Sequence, residues 1–159
     1  LRWHPITNDR RLATQWVADV LSKNPSAAAT WIFVEALLEN AGIHARYGYR
    51  ITKRNLRAQE SNGNSSRQMK VTIGHTNILV IRYIPEGSNR QVAMDYLRKS
   101  MNALGRFPTG ILMYANRFEA YQWSSECSGA RLYCMGKTDL FQQCDQIMDY
   151  LVRTAQTHT

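Results

Sequence analysis

The sequence predicts one α/β domain built on a mixed β-sheet that is flanked by helices. At 159 residues with 44% hydrophobic content, the chain is long enough and apolar enough to bury a core. Its helical and strand-like segments follow the order α-α-β-β-β-α-β-β-β-α. A three-strand meander followed by a helix and a returning strand implies a mixed sheet. No repeat or linker divides the chain, so residues 1–159 are expected to form a single domain.

Two helices open the chain. Asn8-Asp9 can cap the first, which runs to about Ser22, and the Asn-Pro-Ser sequence at 24–26 breaks it. Its apolar residues are expected on one side of the helix: Trp16, Val17, Val20 and Leu21. The second helix covers about residues 27–40 and is more strongly apolar. Gly42 ends it in the usual C-terminal manner.

Near residue 45 the apolar period changes from that of a helix to that of a strand. Over residues 45–54, Tyr47, Tyr49 and Ile51 are expected on the core side. The opposite side would carry the arginines Arg46, Arg50 and Arg54. The polar residues 55–66 predict a flexible loop. Further strands are predicted over residues 69–73, 78–84, 110–114, 118–123 and 130–135, with helices over residues 89–104 and 139–154.

Positive charge is concentrated in one region of the sequence. The formal net charge is +8, with an isoelectric point near 9.7. Between Ile43 and Pro85 there are eight Lys or Arg residues and one acidic residue, Glu60, so this window alone carries a net +7. Such an excess favours contact with a polyanion such as nucleic acid, an anionic lipid or an acidic protein surface.

Several classes of site are excluded by the residues present. Three cysteines without a CxxC spacing and four scattered histidines argue against a disulfide framework and a structural zinc site. No Ser/His/Asp order or Gly-rich phosphate loop is present either, so no cofactor is expected. Reduced cysteines predict an intracellular location, nuclear or cytoplasmic. No apolar run reaches the roughly 20 residues that cross a bilayer, so no membrane association is expected. Because the chain begins at Leu1 rather than Met, we expect it to be a segment of a longer polypeptide.

Three stretches resemble the PD-(D/E)xK restriction-endonuclease-like superfamily. They are closest to the N-terminal nuclease region of type I restriction-enzyme motor subunits. Residues 36–43 (ALLENAGI) resemble the end of that family's first helix, and residues 73–81 (IGHTNILVI) resemble its catalytic hairpin. Residues 110–121 (GILMYANRFEAY) resemble its closing strands. The resemblance covers about residues 27–123 and implies a restriction-endonuclease-like fold.

The resemblance breaks down at the catalytic motif. In the superfamily, Asp and Glu hold Mg²⁺, and Lys positions or activates the attacking water. Matched along the hairpin, the Asp falls at Lys70, the Glu at Arg82 and the Lys at Ile84. Two cations at the carboxylate positions would repel a divalent cation, which requires oxygen ligands. The sequence therefore predicts no catalytic residues and no metal site.

The leading hypothesis is a catalytically inactive nuclease-like module that binds DNA or RNA. Its phosphate contacts would come from a predicted basic set of residues, placed near the groove where the relatives seat nucleic acid. This set comprises Arg46, Arg50, Lys53, Arg54, Arg57, Lys70 and Arg82. No carboxylate nearby in sequence neutralises the arginines at 46, 50 and 54, although distant ones are not excluded by the sequence.

Two alternatives stay open. The first is a protein-interaction or homodimerisation scaffold within a larger protein, with aromatic anchors at Trp3, Tyr121 or Trp123. The second is an active Mg²⁺-dependent nuclease whose carboxylates have moved to other positions. The acidic residues available for such a displaced site are Glu35, Glu39, Glu86 and Asp95, which are otherwise expected to face solvent.

Overall fold

The computed structural model describes residues 7–24, 26–55, 67–84, 89–102, 106–114, 116–123 and 132–157. The helices are α1 (Asn8–Lys23), α2 (Ala27–Asn40), α3 (Arg90–Met101) and α4 (Cys144–Thr157). The strands are β1 (Tyr49–Asn55), β2 (Arg67–Ile73), β3 (Thr76–Ile84), β4 (Thr109–Tyr114), β5 (Arg117–Trp123) and β6 (Leu132–Asp139). This is the predicted order of elements. The predicted loop lies outside the described residues, except for Asn55, which ends β1.

The six strands form one sheet in the order β1-β2-β3-β4-β5-β6. Neighbouring strands are antiparallel except for β3 and β4, which are parallel and connected through α3. The prediction of a mixed sheet flanked by helices is therefore confirmed. The β2–β3 hairpin turns at Gly74, whose φ of 57° lies in the left-handed region that glycine adopts without strain.

Each face of the sheet packs on its own layer of helices. On one face, alternate residues of the central strands join α2 and α4 in the larger core, which includes Phe33, Ile81 and Met148. On the other face, α3 covers β3 and β4 and forms a second core that includes Leu97 and Leu112. Residues Ile78 to Ile84 of β3 are buried throughout, as the apolar start of this strand predicts for a central position.

The orientation of α1 differs from the one that the spacing of its apolar residues predicts. Leu21 packs against the core as expected, but Trp16, Val17 and Val20 are exposed. The buried residues of α1 are Thr14 and Ala18. Polar contacts explain the difference, because the guanidinium of Arg11 donates to Asp145 (2.6 Å) and Asp149 (2.7 Å) on α4. These ion pairs turn the polar side of α1 toward the domain.

Gly110 marks the closest approach of α3 to the sheet. A Cβ placed on Gly110 would overlap the sulfur of Met101, which is itself fully buried. Only a glycine leaves room for the methionine at this point of the second core. The helix can therefore lie directly on β4.

We expect Gly110→Ala to lower the free energy of unfolding by about 1–3 kcal/mol through overpacking. Gly136→Ala on β6 is the matched control, since a Cβ there meets no atom within 4 Å. It should change stability by less than about 0.5 kcal/mol. Urea unfolding measures both, and equal effects of the two substitutions would contradict a close contact at Gly110.

Candidate functional site

The edge strand β1 presents different chemistry on its two faces. Tyr49 is buried in the larger core, and Ile51 packs against that core beneath α2. Arg50 and Arg54 lie on the opposite face, on the same side of the sheet as α3, and both are exposed. The alternation of β1 thus separates an apolar face from a basic one, as the sequence predicts. Tyr47 is partly buried against the larger core.

Arg46 does not belong to the strand, which corrects its predicted position beside Arg50. Residues Ala45–Tyr47 form a 3₁₀ turn, and Gly48 reverses the chain with a φ of 94° before β1 begins at Tyr49. The guanidinium of Arg46 pairs with Glu39 of α2 and donates from Nε to Nδ1 of His44 at 3.3 Å. Arg46 therefore lies on the α2 side of the sheet with its charge compensated.

Lys53 is also separated from Arg50 and Arg54. Its ammonium group lies 3.0 Å from Glu35 of α2. Glu35 and Glu39 were expected to face solvent, but each compensates a cation of the predicted basic set. These carboxylates lie 18 and 7 residues before their partners in the sequence. Local inspection of residues 46–57 cannot detect such pairs.

Three cations of the predicted basic set lie on the α3 side of β1 and β2: Arg50, Arg54 and Lys70. We call them the β1–β2 basic face. In the register of the two strands, Arg50 lies opposite Thr72, Lys70 opposite Thr52, and Arg54 opposite Gln68. Lys70 lies with its Nζ 5.9 Å from the centre of the Phe107 ring. Within the described part of the chain, no carboxylate forms an ion pair with Arg50 or Lys70.

Arg82 is buried and is not part of this face, which corrects its predicted role as a surface contact. Only 1% of the residue is exposed. Its Nη2 donates to Oε1 of Gln68 at 2.7 Å, and its guanidinium lies 5.2 Å from the centre of the Tyr96 ring. The hydroxyl of Ser100 donates to the same Gln68 oxygen at 3.0 Å. Arg82 thus helps to connect β2, β3 and α3.

Gln68, Tyr96 and Ser100 were not recognised from the sequence as partners of Arg82. The alternation of β2 does place Gln68 on the same side as Lys70, which is a usable signal. No pattern indicates that α3 brings Tyr96 and Ser100 to this point. Arg57, the remaining member of the predicted basic set, lies outside the described residues.

The acidic residues proposed for a displaced metal site do not converge. Glu35 and Glu39 lie on α2, whereas Asp95 lies on α3, on the other side of the sheet. Asp95 is 3.7 Å from Arg98 on the same helix. No group of three or more His, Cys, Asp or Glu side chains among the described residues could hold a metal ion. Glu86 lies outside these residues.

A buried carboxylate lies farther along the same side of the sheet. Glu119 of β5 has a side chain that is 1% exposed, and it pairs with Arg90 at the start of α3. The hydroxyl of Tyr121 donates to Glu119 at 2.8 Å and accepts from Arg90 at 2.8 Å. Burial acts to raise the pKa of Glu119, but the hydrogen bonds from Arg90 and Tyr121 outweigh it, so the pKa is lowered. This network is a compensated structural ion pair that the sequence did not reveal.

Two of the three aromatic residues suggested as interface anchors, Tyr121 and Trp123, already have partners inside the protein. Tyr121 is 6% exposed and is engaged with Glu119 and Arg90. The indole of Trp123 is partly buried and donates to the carbonyl of Phe107 at 3.0 Å. Trp3 lies outside the described residues.

Comparison with protein-family models, with curated proteins and with solved structures finds no match for this chain. Among the described helices, none is both long and apolar enough to cross a membrane. The interpretation of the β1–β2 basic face therefore rests on its own geometry and charge.

The Glu119 network should make stability depend on acidic pH. Because the folded-state pKa of Glu119 lies below its ordinary value of 4.5, its contribution is complete above that pH and is lost as the pH falls further. We expect Glu119→Gln to cost about 1–3 kcal/mol at pH 7, and this deficit should shrink toward pH 3. Asp95→Asn, at an exposed ion pair, should show little deficit at either pH. Urea unfolding measured from pH 7 to pH 3 would contradict this if the Glu119→Gln deficit stayed constant.

Proposed function

We propose that this domain binds nucleic acid through the phosphate backbone, using the β1–β2 basic face, and that it does not cleave its ligand. The proposal rests on one observation: neighbouring cations differ in whether they form ion pairs with carboxylates. Arg46 and Lys53 are compensated by carboxylates of α2, whereas Arg50, which is exposed, and Lys70, which is half-buried, form no ion pair with any described carboxylate. Uncompensated cations on an open surface are what phosphate binding requires.

The geometry of the face suits a phosphate chain. Arg50 and Arg54 are four residues apart on one strand face, which corresponds to about 13 Å, so their guanidinium groups can contact different phosphates. Lys70 lies between them on the adjacent strand. The hydroxyls of Thr52 and Thr72 lie on the same side and add neutral donors.

The absence of cleavage is part of the same proposal. We assign the domain to the restriction-endonuclease-like fold, because a β2–β3 hairpin followed by α3 and a parallel β4 accords with that superfamily's core. Lys70 and Arg82 then occupy its carboxylate positions, on the same side of adjacent strands. The Arg82 guanidinium, bonded to Gln68 and beside Tyr96, lies where a metal would need anionic ligands. Such an intracellular pseudo-nuclease retains a phosphate-binding surface without its metal.

Two double substitutions that remove the same amount of charge test whether the β1–β2 basic face binds nucleic acid. Arg50→Gln with Lys70→Gln should weaken binding about tenfold or more and lower the slope of log affinity against log salt by roughly two. Arg46→Gln with Lys53→Gln removes the same charge on the α2 side and should change affinity much less. Fluorescence anisotropy with labelled DNA and RNA of about 20 nucleotides, beginning near 50 mM salt, measures both.

Two results would overturn the phosphate-binding proposal. One is the absence of measurable affinity of the parent domain at low salt. The other is an equal loss in both double variants, which would indicate that only net charge matters.

We also expect no hydrolysis of DNA or RNA with Mg²⁺ or Mn²⁺, because the matched carboxylate positions carry cations. Incubation of labelled single- and double-stranded substrates with each metal, followed by denaturing electrophoresis, measures this. Metal-dependent cleavage that disappears in Glu35→Gln, Glu39→Gln, Glu86→Gln or Asp95→Asn would show an active site with displaced ligands instead.

A further inference from the structure

Helix α1 carries an apolar stripe that faces away from the domain. Leu12 is 64% exposed and Trp16 is 68% exposed, and Val17 and Val20 are 40% and 46% exposed. Leu12, Trp16 and Val20 lie four residues apart and Val17 lies three residues before Val20, so the four side chains adjoin one another on the helix surface. A contiguous patch that contains a tryptophan is characteristic of an interaction surface rather than of scattered exposed residues.

Contacts on the other side of the helix hold the stripe outward. Arg11 bridges to both Asp145 and Asp149 of α4, and Nδ2 of Asn40 donates to the hydroxyl of Thr14 at 3.3 Å. Ala18 is fully buried against the same layer. Rotating α1 to bury Trp16 would break these contacts, so the helix has no alternative packing of comparable quality within the described part of the domain.

The sequence of α1 is complementary to itself when two copies run antiparallel. Leu12 and Val20 lie four residues before and after Trp16, and Asp9 and Lys23 lie seven residues before and after it. With Trp16 of each copy nearest a twofold axis, Leu12 faces Val20 of the other copy. Asp9 then faces Lys23 of the other copy, at both ends of the contact. An isologous interface requires this kind of pairing.

We propose that this face binds a second copy of the chain, through an antiparallel α1–α1 contact centred on Trp16. The charges at its ends match in the antiparallel arrangement and oppose like charges in the parallel one, where Asp9 would face Asp9 and Lys23 would face Lys23. One pair of helices of this length buries less than a standard interface of about 1,200–2,000 Å², so the dimer is weak, in the micromolar range.

The contact lies on the side of the domain opposite the β1–β2 basic face. Helix α1 packs on α2 and α4, whereas the basic face shares its side of the sheet with α3. The dimer thus leaves two basic faces exposed. A single domain retains its own phosphate contacts, so dimerisation and nucleic-acid binding are separable.

Sedimentation equilibrium at near-physiological salt, from about 1 to 200 µM protein, tests the contact. The parent should show a monomer–dimer equilibrium, and Trp16→Glu should raise the dissociation constant at least tenfold because it removes the central anchor from both copies. Since Trp16 is largely exposed in the monomer, circular dichroism of the variant should be unchanged. Ile32→Glu, at an exposed apolar residue of α2 that is 64% accessible, is the matched control and should leave dimerisation intact.

A charge exchange separates the contact from general effects on the helix. Asp9→Lys and Lys23→Glu should each weaken the dimer, because each brings like charges together at both ends. The double variant should restore dimerisation toward the parent. Its monomer stability should fall, because both end charges then oppose the helix dipole and the ion pair of Lys23 with Asp19 (3.4 Å) is lost. A parent that stays monomeric at about 200 µM, a Trp16→Glu variant that dimerises like the parent, or a double variant weaker than either single one would overturn the proposal.

Discussion

Strand β3 lies in the middle of the sheet with helices on both of its faces, and its residues from Ile78 to Ile84 are buried. Any side chain on this stretch must therefore be apolar or be given polar partners inside the protein. Arg82 is the one charged residue there, and Gln68 and Tyr96 surround its guanidinium. Ser100 in turn holds the Gln68 amide oxygen, which ties α3 to β2. The position of α3 along the sheet thus follows in part from the need to solvate one buried cation.

Because α3 lies over β3 and β4 and reaches Gln68 of β2, the α3 side is left open mainly at β1. Arg50 and Arg54 on that side have no described helix above them, whereas Lys53, on the other side, and Arg46, just before the strand, meet the carboxylates of α2. A row of charges also protects an exposed sheet edge from pairing with other strands, and β1 is such an edge. For edge protection, it does not matter which face of the strand carries the charges. Edge protection does not explain why Arg46 and Lys53 are paired with carboxylates while Arg50 and Lys70 form no ion pair with a described carboxylate, whereas phosphate binding does.

The two proposed surfaces lie on opposite sides of the sheet and differ in chemistry. The basic face is a sheet surface that no described helix covers, and its ligand would be recognised by charge with strong dependence on salt. The stripe on α1 is a helix surface that no other element of the described chain covers, and its recognition depends on apolar contact and helix-end charges. Because the sheet separates them, a change at one surface leaves the other intact. A weak dimer of this form would carry its two phosphate-binding faces on opposite sides, so each domain would contact its own stretch of polyanion.

The sequence by itself determined the order of helices and strands, the mixed sheet, the central position of β3 and the segregation of Tyr49 from Arg50 and Arg54. All of these depend on local periodicity, which is written in residues a few positions apart. The tertiary structure alone decided which cations are compensated, since Glu35 and Glu39 reach β1 and its preceding turn from another element. It also decided that Arg82 is buried rather than displayed, and that α1 presents Trp16 to solvent. These features depend on contacts between residues that are far apart in the sequence, where local periodicity gives no signal. The orientation of α1 is the clearest case, because it depends on a hydrogen bond from Arg11 to Asp145, 134 residues away in the chain.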